Sequence, residues 1–174
     1  MDRILILGSP GAGKSTLARQ LSEILDIPVI HLDREFWQPG WIQTPDNEWE
    51  QRVAALIQRD RWIMDGNYGS TLKMRLRRAD VVIVMDYPRR LCLWRIVKRV
   101  WRHRGRTRPD MAPECAERWD WEFILFVWRF RKRGRIRNYR MIEEMGMTGK
   151  TVVLKNQRDM NAFLMLIKKD NESI

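Results

Sequence analysis

Cysteine and histidine are scarce in this chain of 174 residues, with two of each. Cys92 and Cys115 stand far apart and form no C-x-x-C pair, and His31 and His103 are equally isolated. That spacing speaks against a zinc site or a disulfide framework and agrees with a reducing cytoplasm. Long apolar runs are also missing. No stretch approaches the roughly eighteen consecutive apolar residues of a spanning helix, so no membrane partner is expected. The N-terminus opens directly into a strand-like run, without the pattern of a signal peptide. Internal repeats and low-complexity linkers are absent, and the length suits one domain with a real core.

Acidic residues are missing from two stretches that are rich in arginine. One runs through Arg89, Arg90, Arg95, Lys98, Arg99, Arg102, Arg104, Arg106 and Arg108; the other through Arg129, Arg131, Lys132, Arg133, Arg135, Arg137 and Arg140. The formal net charge is +11. This balance favours anionic partners: nucleotides, phosphorylated metabolites or nucleic acid. A solvated face normally mixes signs, so surface charge alone is the weaker explanation.

What is present is led by one octapeptide, Gly8-Ser9-Pro10-Gly11-Ala12-Gly13-Lys14-Ser15. It reads G-x-x-x-x-G-K-S. The apolar run Ile4-Leu5-Ile6-Leu7 precedes it, and Leu17, Ala18, Leu21, Ile24 and Leu25 follow at helical spacing. Strand, glycine loop, helix is the context this motif requires. The chemistry explains the spelling. Residues 8–16, from Gly8 through Pro10 and Ala12 to Thr16, wrap phosphate oxygens with the backbone N–H groups that all but Pro10 carry, and the helix start faces the same anion. Lys14 reaches the β- and γ-phosphates, and the Ser15 hydroxyl ligates Mg²⁺. ATP and Mg²⁺ are therefore the expected cofactors.

Periodicity predicts strands at residues 3–7, 28–33, 61–65, 80–86 and 151–154. Helices are predicted at residues 14–25, from about 45 through Ile57, 70–77, 88–102, 119–133 and 159–169. A further helical turn or two follows Gly134. Residues 37–41 and 105–113 read as loops. This alternation predicts an α/β fold of three layers, a five-stranded parallel sheet with helices on both faces. Ligands in such sheets bind beyond the carboxyl ends of the strands. Asp33, Asp65 and Asp86 sit at such ends.

Asp33 could orient an acceptor or hold the metal through water, although Asp after a strand is also a common cap or turn residue. Asp65-Gly66-Asn67-Tyr68 ends the third strand, where a carboxylate reaches the metal's water shell and Gly66 lets an acceptor approach. Asp86 competes for the metal role, with Asp65 ranked first. Arg95 and Arg99 share one helical face, suited to stacking on a base and gripping phosphates. Arg104, Arg106 and Arg108 suit a lid that excludes water. Nine tryptophans are many for this length. Trp37, Trp41 and Trp49 fall where an acceptor would sit. For Trp119, Trp121 and Trp128 helical spacing favours ordinary packing, with base stacking as the alternative.

Residues 8–16, His31-Leu32-Asp33, Pro39-Gly40-Trp41, Trp62-Ile63-Met64-Asp65-Gly66-Asn67-Tyr68 and Asp86-Tyr87-Pro88-Arg89 resemble the adenylate-kinase-like P-loop proteins called DNA topology modulation (FlaR-related) proteins. Thr107-Arg108-Pro109-Asp110-Met111 and Asp120-Trp121-Glu122-Phe123 continue the likeness. The wider relatives are nucleoside monophosphate kinases. The resemblance implies a P-loop NTPase sheet of order 2-3-1-4-5, an acceptor segment near residues 33–75 and a lid near residues 103–120. It implies that Lys14 stabilises the transferring phosphoryl group and that Arg95 and Arg99 contact ATP. It places Lys155-Asn156-Gln157 at the adenine loop. Asn67-Tyr68-Gly69 replaces the F-P-R of adenylate kinases, so the arginine that holds AMP's phosphate there is missing, and Arg75 becomes its substitute.

Two functions follow as expectations. The first is a monomeric ATP-dependent kinase, with Lys14, Asp33, Asp65 and Arg99 as catalytic residues. Ser15 and Asp65 hold the metal. Asp33, Trp37, Asn67, Tyr68 and Arg75 surround a small-molecule acceptor. The second is a nucleotide-gated DNA-binding protein whose basic clusters contact nucleic acid.

Overall fold

The apolar run near the start of the chain forms the centre of the sheet. In the computed structural model, which describes residues 1–172, β1 (Arg3–Gly8) lies between β5 (Trp62–Asp65) and β6 (Val81–Met85), with β2 (Val29–His31) and β7 (Thr151–Leu154) at the edges. All four pairings are parallel. Taken in chain order, these core strands stand as second, third, first, fourth, fifth, the expected order. Alternation along β1 builds two cores. Ile4 and Ile6 face one layer with Leu17, Leu21, Ile83 and Ile96. Leu5 and Leu7 face the other with Trp49, Val53, Trp62, Met64 and Leu72.

The first layer holds α1 (Lys14–Leu25), α5 (Arg89–His103), α6 (Trp121–Phe130) and α8 (Gln157–Glu172). The second holds α3 (Asp46–Leu56), α4 (Gly69–Arg78) and α7 (Gly134–Glu144). Helices on both faces of a parallel sheet make the three-layer P-loop NTPase fold.

Three local expectations are corrected. The second strand stops at His31, and Leu32–Phe36 forms a short helix, α2, with Asp33 and Glu35 in its first turn. Acids favour a helix start through the dipole, which outweighs the apolar run that reads as strand. Residues 37–41 are not plain loop: β3 (Trp37–Gln38) and β4 (Ile42–Gln43) form an antiparallel hairpin. Third, α6 is shorter than expected, starting at Trp121 because the Asp120 side chain accepts the Phe123 N–H at 3.0 Å. Trp121 and Trp128 lie on the exposed side of the helix and not in the core, Trp121 edge-on to Trp119 and Trp128 under Arg89, and Trp119 lines a cavity.

Asp80 ties the bottom of the sheet, accepting from the Arg3 backbone at 2.9 Å and from the Arg3 guanidinium at 2.8 Å. Partial burial opposes the Asp80 charge, but the Arg3 bonds outweigh it and hold its carboxyl below the usual carboxylate range. A carboxyl depressed in the folded state lends stability above its unfolded value near 4, lost as pH falls through the folded value. Asp80→Asn is therefore expected to flatten the acid limb of a melting-temperature profile below about pH 4.

Candidate active site

Beyond the carboxyl ends of β1 and β5 opens a cavity of about 1120 Å³, walled by the loop between β1 and α1, the hairpin, α5, α6 and residues 108–120. The loop backbone can take its path only with glycine at two points. Gly8 has φ +147°, and a Cβ there would lie 2.5 Å from the Met85 carbonyl; at Gly11, with φ +78°, it would collide with the Cys92 carbonyl.

Lys14 opens α1 and folds back on the loop, donating to the carbonyls of Gly8 at 3.1 Å and Ser9 at 3.2 Å. Burial lowers its pKa, while Asp33 and Asp65 support its charge. Arg95 donates to the Ala12 carbonyl at 2.9 Å and to Gln157 Oε1 at 3.3 Å. Arg95 and Arg99 both line the cavity, as do Ser15 and Thr16.

Two carboxylates at the strand ends are held by aromatic and imidazole groups. Asp33 opens to the cavity, and the Tyr68 hydroxyl donates to it at 2.7 Å. Enclosure by the surrounding protein raises the Asp33 pKa against the pull of Tyr68 and Lys14. Asp65 is buried, with His31 Nδ1 at 2.8 Å. Burial disfavours the His31 imidazolium, but its bond to Asp65 wins, so His31 titrates above its ordinary value. Asp86 is directed elsewhere: Arg135 Nε holds its two oxygens at 2.9 and 3.0 Å, outside the cavity lining.

Three expected site residues are placed differently. Arg75 does not face the acceptor space. It is fully buried and donates to the carbonyls of Gly66 at 3.0 Å and of Asn67 and Tyr68 at 2.7 Å, a strut behind the loop. The Asn67 amide borders the cavity but is spent on the phosphate loop, accepting the Gly8 N–H at 3.2 Å and donating to the Gly8 carbonyl at 2.8 Å. Lys155 points out of the cavity lining, and Gln157 lines it instead. The reason is local. Asn156 accepts the Asp159 N–H at 3.0 Å and Asp159 accepts the Lys155 N–H at 2.8 Å, which starts α8 early and turns Lys155 to solvent.

The lid segment rests on the hairpin. Trp41 Nε1 donates to the Ala116 carbonyl at 3.1 Å, and Met111, Ala112 and Cys115 pack with Trp37 and Trp41. Its root is a chain of charges that sequence reading does not find. Buried Glu117 pairs with Arg99 Nε at 2.9 Å and with Arg108, and Arg108 holds Asp110 at 2.8 Å. Asp110 in turn faces the Ser15 side chain across the cavity. Burial opposes its charge, but Arg108 and Ser15 hold its carboxyl below the usual range. The one signal was that Asp110 and Glu117 follow a long run without acids. Arg137 is a further residue missed individually: it lines the cavity, and its guanidinium lies over Gly69, where a Cβ would require that guanidinium to move.

A family model described as an AAA domain matches residues 4–119. The chain belongs to the AAA domain family. The matched region contains the phosphate loop, the hairpin, α5 and most of the lid segment. Over 94 residues the chain is 35% identical to an adenylate kinase of Cyanothece sp., covering 52% of this chain and 47% of that one. Over 106 residues it is 30% identical to an adenylate kinase of Thermosipho melanesiensis, covering 59% and 48%. The chain thus spans about half the length of the curated relatives it matches. Two solved structures share its fold. They are a shikimate kinase from Acinetobacter baumannii in complex with shikimate, with TM-score 0.59, 18% identity and coverage of 99% and 94%, and a deoxyadenosine kinase from M. mycoides with bound dATP, with TM-score 0.51, 15% identity and coverage of 99% and 100%. Among the described residues no helix is long and apolar enough to cross a membrane.

Proposed function

We propose that this AAA-family chain is an ATP-dependent phosphotransferase acting on a small-molecule acceptor. The observation that carries the reading is one cavity shared by the phosphate loop, with Lys14, Arg95 and Arg99, and by the carboxylates Asp33 and Asp65. The donor set suits a triphosphate: a helix start, an ammonium and guanidinium groups. Among the described residues no three His, Cys, Asp or Glu side chains converge as a metal cage. Mg²⁺ asks for little more than a hydroxyl, a carboxylate, water and phosphate oxygens, and Ser15 and Asp65 would hold it. ATP·Mg²⁺ supplies the γ-phosphoryl group and part of its charge neutralisation when bound.

The chain's own residues do the rest. Lys14, Arg95 and Arg99 hold phosphate oxygens and stabilise the charge that spreads over the transferring group. Asp33 takes the proton of an acceptor hydroxyl, a role favoured by a carboxyl pKa raised toward neutrality. Tyr68 fixes the orientation of Asp33, and His31 that of Asp65. The lid segment, from its root at Arg99 and Glu117, keeps water from competing with the acceptor. The acceptor segment is built from residues 33–75 with the lid near 103–120, in a single domain.

Asp33→Asn keeps the shape and removes the base. Its kcat is expected to fall by about 10²–10³-fold, with nucleotide affinity unchanged. An unaltered kcat would remove Asp33 from the proposed mechanism.

A second reading, nucleotide-gated DNA binding in the manner of the DNA topology modulation proteins, draws on one observation: the arginines at the outer ends of α5 and α6 are exposed. Its sign would be DNA affinity that falls steeply with salt and changes on adding ATP.

A further inference from the structure

Two stripes of large apolar side chains stand in solvent on two packed helices. On α5, Trp94, Val97 and Trp101 are 56%, 44% and 81% exposed; on α6, Trp121, Leu125 and Trp128 are 68%, 49% and 45% exposed. Each set repeats at three and four residues, so each forms a line along its helix. None of the six lines the cavity. The helices are neighbours, and the Arg89 guanidinium of α5 lies 3.9 Å over the Trp128 ring of α6. A lone exposed tryptophan is ordinary; a line of them on each of two packed helices is not.

The surroundings of the stripes are cationic. Arg90, Lys98 and Arg102 are exposed on α5, and Arg129, Arg131, Lys132 and Arg133 are exposed at the end of α6. No acid occurs within α5, and Glu122 is the only one in α6. A second copy of the chain would bring this rim against itself, which repulsion disfavours. A single-stranded nucleic acid would match the charge but needs open ring faces. Lys98 Nζ already sits 4.7 Å over Trp94, Arg89 covers Trp128, and Val97 and Leu125 offer no ring at all. An anionic bilayer surface uses every one of these groups. Trp occupies the headgroup level, Val and Leu enter the acyl boundary, and Lys and Arg reach the anionic headgroups.

We propose that the outer face of α5 and α6 docks on the surface of an anionic lipid bilayer. This contact is peripheral and needs no spanning helix. It goes beyond phosphotransfer and holds whether or not that reading does.

The test is co-sedimentation of the full chain with vesicles of phosphatidylcholine alone and with vesicles rich in phosphatidylglycerol. Binding is expected to the anionic vesicles only, weakening as salt rises. Trp101→Ser with Trp121→Ser should lower the partition constant by about tenfold or more. Both residues are exposed and outside the cavity, so the double variant keeps its melting temperature and nucleotide binding. Three results would overturn the proposal: no binding to anionic vesicles; equal binding by the double variant; or a dependence on these tryptophans seen only in oligonucleotide binding or in dimer formation.

Discussion

Lys14→Ala is expected to lower phosphoryl transfer by about 10²–10³-fold while the protein keeps its fold. Among the described residues the ammonium makes no ion pair; it donates to the Gly8 and Ser9 carbonyls. Both are main-chain acceptors, and the Gly8 carbonyl keeps the Asn67 amide as a donor at 2.8 Å when Lys14 is removed. Burial already disfavours the charge, as the lowered pKa shows, so the folded state carries a desolvation cost that alanine relieves. The melting temperature should therefore stay level or rise slightly. The transition state is different. Negative charge spreads over the transferring group, and a cation held at the start of α1 meets it without reorganisation. Turnover close to that of the unaltered chain would mean that the phosphate loop is not where chemistry happens.

Arg75→Met should have its main effect on stability. The guanidinium is fully buried and serves three successive carbonyls, those of Gly66, Asn67 and Tyr68. Burial lowers its pKa to about 9, still high enough to keep it charged at neutral pH. Methionine fills similar volume but takes this donor from all three carbonyls, of which Tyr68 alone keeps a side-chain donor, the Thr71 hydroxyl at 3.3 Å. Removing the buried charge offsets part of that, and a net loss of about 2–4 kcal/mol is expected. For a chain of this size that is a fall of roughly 5–15 °C in melting temperature. Nucleotide affinity should fall as well, since Asn67 links the same turn to Gly8. Arg75→Lys offers one ammonium for three carbonyls and should fall between. An acceptor-binding Arg75 would behave otherwise: acceptor KM would rise and the melting temperature would not move.

The comparison of sequence and structure turns on how local each signal is. The phosphate loop is legible because Gly8, Lys14 and Ser15 lie within eight residues and their flanks carry the strand and helix patterns. The sheet order is legible through resemblance, and the alternating cores of β1 through periodicity. Arg75 is not legible. Its neighbours Arg77 and Arg78 share its charge, and only the fold puts Gly66–Tyr68 carbonyls around one of the three. Glu117 and Asp110 are missed because their partners, Arg99 and Ser15, stand 18 and 95 residues away. The hairpin is hidden because its strands are two residues each. The tryptophans of α5 and α6 show the limit of periodicity most clearly. A stripe at three and four marks one face of a helix, but not whether that face meets the core or the solvent.

The central claim is that the phosphoryl group leaves the loop for an acceptor and not for water. The direct measurement follows the γ-phosphate label of ATP, with Mg²⁺, through a panel of nucleoside monophosphates, nucleosides, sugars, shikimate-like acids and 5′-hydroxyl DNA. The account predicts that label appears on one acceptor class, that this acceptor speeds ADP release, and that Lys14→Ala abolishes both. Label found only as inorganic phosphate, at a rate no acceptor changes, would contradict it.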